Sequence, residues 1–247
     1  FYIEGHSMAN NLVKYERVLL KLSGEALMGK GSSIFDKQTI DSIIIQIKEI
    51  LTLNVKIGIV IGGGNIFRGV NGSEMGLERA NADYIGMLAT IMNGIALKDF
   101  FTNAGVNSKI YSAVAINNIV KGINRDNMLG HLTKGNVVIF VGGTGNPFFT
   151  TDSGAALRAI EMQADLLIKA TKVDGVYDMD PKIYSNAVKF GTITFDQAIQ
   201  QNLRVMDMSA FDLCREHNIN IDVCDIFKPN CLRDSVLGNT QGTLIHA

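Results

Sequence analysis

Apolar residues along the chain follow two rhythms, and their alternation predicts an α/β fold. Arg17 to Leu22 (RVLLKL), Val55 to Ile61 (VKIGIVI), Asn136 to Val141 (NVVIFV) and Asp165 to Lys169 (DLLIK) are short, nearly continuous apolar runs, and Lys109 to Ala113 is a weaker one. Runs of that length, rich in β-branched residues, predict strands, and near-continuous hydrophobicity predicts parallel strands covered on both faces. Between them the period lengthens to that of a helix. Asp36 to Leu53 places Ile40, Ile43, Ile44, Ile47, Ile50 and Leu51 on one stripe, and Ala155 to Ala164 reads as a further helix. In Leu77 to Phe101, apolar Leu88, Ile91, Met92, Ile95 and Phe100 and small Gly86, Ala89, Gly94 and Ala96 spread around the axis. That predicts burial on more than one side, partly against another subunit. The tail repeats the alternation, with helices near Asp196 to Gln200, Ala210 to Glu216 and Leu232 to Leu237 and strands near Ile221 to Val223 and Thr243 to Ile245. Asn117 to Lys134 is polar and weakly patterned, and no element is assigned to it.

The chemistry concentrates where strands end. Gly142 to Asp152 (GGTGNPFFTTD) follows an apolar run and leads into a helix, with Thr151 or Asp152 expected as N-cap. Glycines let backbone approach a phosphate, and a helix start offers free N–H groups and roughly +0.5 of an elementary charge. Pro147, Phe148 and Phe149 add a rigid apolar wall that a simple turn does not need. Gly62, Gly63 and Gly64 form a second loop of this kind, with Arg68 four residues on, a guanidinium that can grip phosphate. Lys21 stands at the carboxyl end of the first strand, where ligands of open α/β sheets gather. Two familiar patterns fail. Gly24 to Gly31 (GEALMGKG) has Gly31 where a P-loop needs Ser or Thr, and both glycine loops place Phe (Phe67, Phe148) where a dinucleotide fingerprint needs its third glycine. Asp83, near a helix start, is either a dipole partner or a ligand to a hydroxyl. Thr171 to Pro181 reads as a solvated loop, or as one in which Tyr177 stacks on a base and Asp180 accepts from a ribose.

Composition narrows the partners. Lys+Arg 23 against Asp+Glu 24 leaves a net charge of -1, so no overall field recruits nucleic acid or an acidic membrane, and a bound anion must be held by local groups. Cys214, Cys224 and Cys231 lack CxxC spacing and read as buried thiols in a cytoplasmic setting. The longest apolar runs fall short of the ~20 residues that cross a bilayer. No histidine is partnered for a triad. FYIEGHS before Met8 reads as a tag remnant, so residues 1–9 are set aside and 10–247 are read as one domain.

KLSGEAL at 21–27, IGGGNIFRG at 61–69, ADYIGMLATIMNG at 82–94, GGTGNPFFTTD at 142–152, KATKVDGVYDMDP at 169–181 and VMDMSAF at 205–211 together resemble the bacterial uridylate kinases of the amino acid kinase superfamily. The resemblance implies a three-layer αβα sandwich around a mainly parallel sheet. UMP would lie over the N-terminal half of its carboxyl edge and ATP over the C-terminal half. Motif by motif, Lys21, Ser23 and Gly24 would meet the ATP phosphates, with Thr171, Tyr177 and Asp180 lining that site. Gly63 and Gly64 would face the transferring phosphoryl group, and Arg68, between donor and acceptor, would lie against the UMP phosphate. Asp83 would accept from the UMP ribose, and Thr144, Gly145, Asn146, Pro147, Phe148, Phe149, Thr150 and Thr151 would wrap UMP. Asp152 would orient Lys21 or the metal shell, which makes Lys21, Arg68 and Asp152 the catalytic set. Mg²⁺ would come with ATP rather than sit in a dedicated protein site. The resemblance also implies a homohexamer, activation by GTP and inhibition by UTP. The GTP-linked loop corresponds to Gly29, Lys30, Gly31, Ser32, Ser33 and Ile34, shorter than the family pattern, and Asn117 to Lys134 departs from it as well. A sibling kinase acting on a carboxylate or carbamate, or a nucleotide-sensing regulator, would share part of this layout.

Overall fold

A computed structural model describes residues 13–29, 31, 33–68 and 76–247. Residues 1–9, Lys30 and Ser32, on which expectations were placed, lie outside the described residues. In chain order the strands are β1 (Arg17–Leu22), β2 (Lys56–Ile61), β3 (Ser108–Ser112), β4 (Lys121–Gly122), β5 (Val137–Val141), β6 (Leu166–Thr171), β7 (Thr192–Thr194), β8 (Asn220–Asp225) and β9 (Thr243–His246). The helices are α1 (Lys37–Thr52), α2 (Arg79–Asn103), α3 (Arg125–Thr133), α4 (Thr151–Glu161), α5 (Phe195–Gln200), α6 (Met208–Glu216) and α7 (Cys231–Leu237).

Among the described residues nine strands form one sheet in the order β4-β3-β5-β2-β1-β6-β8-β9-β7. Every pairing between these strands is parallel except β8 with β9. The central strands read as continuous apolar runs because both of their faces are covered. Val18, Leu20 and Leu22 of β1 join α1, α2 and α7 in one core, which also holds Ile43, Ile47, Phe101 and Leu232. Leu19 of the same strand points the other way, into a core with Phe140, Ala155, Ala159 and Phe211 under α3, α4, α5 and α6. Three layers result. Burying a Leu or Ile side chain fully is worth about 1.5 to 3 kcal/mol, so each alternate position of β1 stabilises a different layer.

β1 is the pivot: β2 lies on one side of it and β6 on the other. Successive crossovers leaving a strand in opposite directions open a crevice beyond its carboxyl end. Lys21 is on β1, and both glycine loops leave neighbouring strands at that edge.

The structure departs from the sequence reading at a few places. The segment left unassigned contains β4 and α3. α3 buries Met128 and Leu132 as its only fully covered side chains, too few to set a helical period, and Asn124 caps it by accepting from the Asn127 amide. β4 is an exposed two-residue edge strand, and β7 was also not anticipated. α4 begins at Thr151, earlier than expected, and its cap is Thr150 rather than Thr151 or Asp152. The Thr150 hydroxyl accepts from the amides of Asp152 and Ser153, which frees the Asp152 side chain for other partners.

Candidate active site

The loops after β1 and β2 meet backbone to backbone. The Gly62 amide donates to the Leu22 carbonyl at 2.9 Å, and a Cβ placed on Gly24 would sit 2.8 Å from the Gly64 nitrogen and the Gly62 oxygen. Only glycine allows that approach. Gly63 packs as closely on α2, where a Cβ would lie 2.8 Å from the Gly86 oxygen. Among the described residues the amides of Gly63 and Gly64 have no protein acceptor, so they remain available to an anion. In the loop after β5, Gly142, Gly143 and Gly145 all have positive φ, and Phe148 does too at 73°. Both rings are largely exposed, and of the two only Phe149 lines the cavity described below.

Asp152, in the first turn of α4, is the electrostatic centre. Its Oδ1 lies 2.8 Å from Lys21 Nζ, and its Oδ2 accepts from Lys169 Nζ at 2.9 Å. Lys21 and Lys169 are register partners on the adjacent parallel strands β1 and β6, which is why one carboxylate reaches both. Burial pushes the Asp152 carboxyl upward, but the two ammonium groups outweigh it and hold the group below the usual carboxylate range. Burial lowers Lys169, aided by the charge of Lys21 and opposed by Asp152. Asp207 supports the cluster by capping α6 through the Ala210 amide while accepting from Thr150, Ser153 and Ser209. Burial would raise Asp207, yet these hydrogen bonds bring it below its ordinary value.

Beside this cluster a cavity of about 510 Å³ opens over the carboxyl ends of β2 and β5. It gathers Gly63, Gly64, Arg68, Asp83, Thr144, Asn146, Phe149, Thr150 and Thr151, all named from the sequence, and adds Arg79 and Thr90 from the surroundings. Gly145, Pro147 and Phe148 do not line it. Arg68 is tethered to Glu25 Oε1 at 2.6 Å, a contact between the first and second loops. Asp83 accepts from Arg79 Nε at 3.0 Å and from the Phe148 amide at 2.8 Å, so in this structure it joins α2 to the aromatic loop. Thr171, the last residue of β6, and Tyr177 and Asp180, which follow it, do not line this cavity. Thr171 closes a turn with Val173, the Tyr177 hydroxyl donates to Asp174 Oδ1 at 2.8 Å, and Asp180 is exposed and caps the Lys182 amide. Ser23 sits between β1 and the short turn Gly24–Leu27 without a capping bond.

Lys169, Asp207 and Glu25 were not singled out as site residues from the sequence, although Lys169 carries a signal: it is the one charged residue inside the apolar run of β6. Among the described residues no group of three or more His, Cys, Asp or Glu is placed to hold a metal.

The model of the amino acid kinase family matches residues 16–225. Among solved structures, the UMP kinase from Bacillus anthracis superposes with a TM-score of 0.91 at 38% identity, over 94% of this chain and 96% of that one. The UMP kinase from Ureaplasma parvum gives 0.89 at 41%, over 94% and 99%. The uridylate kinase from Archaeoglobus fulgidus gives 0.70 at 28%, over 92% and 99%. A sheet pivoting on β1, glycine loops at its carboxyl edge and a family match over residues 16–225 agree: the protein belongs to the amino acid kinase family.

Proposed function

We propose that this protein is a UMP kinase, transferring the γ-phosphoryl group of ATP to UMP to give UDP and ADP in pyrimidine nucleotide synthesis. The observation that carries the reading is the cavity at the glycine loops. Phe149, Thr144, Asn146, Thr150 and Thr151 offer it a neutral, partly aromatic wall, Arg68 stands at its glycine end, and the Lys21/Asp152/Lys169 cluster lies alongside. A planar base suits that wall, and a phosphate suits the end with Arg68 and the free amides.

The chemistry needs no general base, because a nucleotide phosphate is already anionic near neutral pH. An acceptor phosphate oxygen forms the new bond to the γ-phosphorus as the bond to the departing ADP oxygen breaks. What the protein supplies is alignment and charge compensation. Lys21 and Lys169, held apart and in line by Asp152, neutralise charge on the donor and transferring groups. The Gly63 and Gly64 amides bind the phosphoryl oxygens, and Arg68 offsets the acceptor phosphate. In this reading Asp83 meets the ribose of UMP, the 144–151 loop wraps the base, and Ser23, Gly24, Thr171, Tyr177 and Asp180 serve ATP. Mg²⁺ enters as part of the Mg-ATP substrate, with the phosphates as its ligands.

The exposed apolar stripe of Tyr84, Leu88, Met92 and Ile95 on α2 supports a homo-oligomer, a hexamer by resemblance. Control by GTP and UTP and a cytoplasmic location complete the proposal. Among the described residues no helix is long and apolar enough to cross a membrane. The test incubates the purified protein and Mg-ATP with UMP, CMP, acetylglutamate or aspartate, with hydroxylamine present to trap acyl phosphates. UDP formation is expected with UMP. A hydroxamate from either acid, without ADP release on UMP, would overturn the assignment.

A further inference from the structure

We infer that Asn65 and Asn93 form a positioning pair that fixes the Gly62–Gly64 loop for phosphoryl transfer, an inference that rests on the UMP kinase reading. Asn93 lies mid-way along the 25-residue helix α2 and is 0% exposed. A fully buried amide is costly unless its polar atoms find partners, and here they do. Asn93 Nδ2 donates to the Gly62 carbonyl at 2.7 Å and to Asn65 Oδ1 at 2.7 Å, while Asn65 Nδ2 donates back to Asn93 Oδ1 at 3.0 Å. The Gly62 carbonyl can only accept, so it fixes which end of Asn93 faces the loop. Asn65 also donates to the Ile34 carbonyl at 3.1 Å, which ties the segment before α1 to the same point.

Three neighbouring contacts make this pair more than core filling. Gly63 packs against α2 at Gly86 and Ala89, Thr90 Oγ1 accepts from the Gly142 amide at 2.7 Å, and Gly24 packs on Asn65 itself. α2 thus grips the loops after β2 and β5, and the Asn pair is the grip on the loop whose Gly63 and Gly64 line the cavity. Neither asparagine touches the cavity, so the pair acts through the loop. Reacting groups held in line lose about 10²-fold in rate when displaced by 1 Å. Loosening the loop should therefore slow transfer more than it weakens binding.

The experiment compares Asn65→Ala, Asn93→Ala and the double variant with the wild-type protein. Steady-state kinetics with UMP and Mg-ATP are normalised to folded protein, and amide hydrogen exchange is followed at Gly62, Ile66 and Phe67. In the structure these three amides donate to Leu22 and Gly63 carbonyls. Each single variant is expected to lower kcat about 10- to 100-fold with both KM values within about 2-fold. Exchange at the three amides should rise, and the double variant should fall no further, because paired residues are not additive. Unchanged kcat, a rise in KM alone, or multiplying effects in the double variant would each overturn the inference. Asn65 is at the edge of the core, so Asn65→Ala decides the matter if Asn93→Ala does not fold. If the wild type makes no UDP, the UMP kinase reading fails by itself, and exchange alone judges the pair: unaltered protection at the three amides would refute it.

Discussion

Replacing Asp152 with Asn removes one charge from a site that holds two lysines and changes almost nothing in shape. The three side chains are 13% (Lys21), 13% (Asp152) and 16% (Lys169) exposed, so solvent screens them poorly. At contacts of 2.8 and 2.9 Å and an effective dielectric constant of about 20, each pair is worth roughly 6 kcal/mol gross. Desolvating three ions costs several kcal/mol apiece and offsets much of that. What Asp152→Asn leaves behind is two ammonium groups without their counter-ion, and breaking such a buried pair costs about 3 to 5 kcal/mol. At about 2 to 4 °C per kcal/mol for a chain of this size, Tm should fall by roughly 6 to 20 °C.

The variant has one escape, which gives the test its sign. Lys169 is already lowered by burial and by Lys21, and Asp152 is what opposes this, so without the carboxylate Lys169 falls further and sheds its proton more readily. For a lysine whose folded pKa lies below its unfolded value of about 10.5, the unfolded chain binds more protons between the two, and stability rises with pH through that window. The Tm gap between wild type and variant should narrow as pH is raised from 7 toward 10. Activity should not recover with it, because a neutral Lys169 cannot compensate phosphate charge. Calorimetry across pH, paired with UDP formation, reads both. A gap that stays constant with pH, or a kcat equal to wild type, would refute the electrostatic account.

Lys21→Ala and Lys169→Ala should each lower turnover about 10²- to 10³-fold, as expected for a lost donor to transition-state charge, and a normal rate in either would remove that residue from the mechanism. Asp83→Ala should raise the KM for UMP while sparing that for ATP. A lost hydrogen bond to a charged group is worth about 1.5 to 3 kcal/mol, or roughly 10- to 150-fold, and equal losses for both nucleotides would mean that Asp83 only anchors Phe148. Asp222 is buried on β8, with Oδ1 accepting from Thr240 at 2.7 Å and Oδ2 without a partner. Burial raises its pKa against the pull of the Ser235 and Thr240 hydroxyls. Its folded form therefore holds the proton longer than the unfolded chain, and stability is lost as pH rises through the folded pKa. The Tm of Asp222→Asn relative to wild type should climb from pH 4 to pH 8, and a flat difference would contradict this.

The frame of the fold is legible because the central strands bury both faces, so every residue of VVIFV must be apolar and the run announces itself. α3 and β4 escape the same reading for the opposite reason: little of either is buried, so nothing in the pattern has to change. The glycine loops, Arg68 and Lys21 are legible by position, since backbone near a phosphate needs glycine and ligands collect beyond strand ends.

The pairings inside the site are not legible, because they depend on which strands become neighbours. Lys169 shares a register with Lys21 only because β6 returns to the free edge of β1 after the chain has built β2, β3 and β5 on the other side. No spacing along the chain encodes that return. Asn93 and Thr90 are hidden in another way. They lie in a helix read by its apolar residues, where a buried amide or hydroxyl looks like an interruption of the stripe. Once the Gly62 carbonyl and the Gly142 amide are seen to be their partners, each proves to satisfy a polar group of a strand-end loop. A polar residue that breaks the apolar face of a central helix beside two glycine loops is therefore the feature to look for, since leaving it unpaired would cost about 1 to 3 kcal/mol.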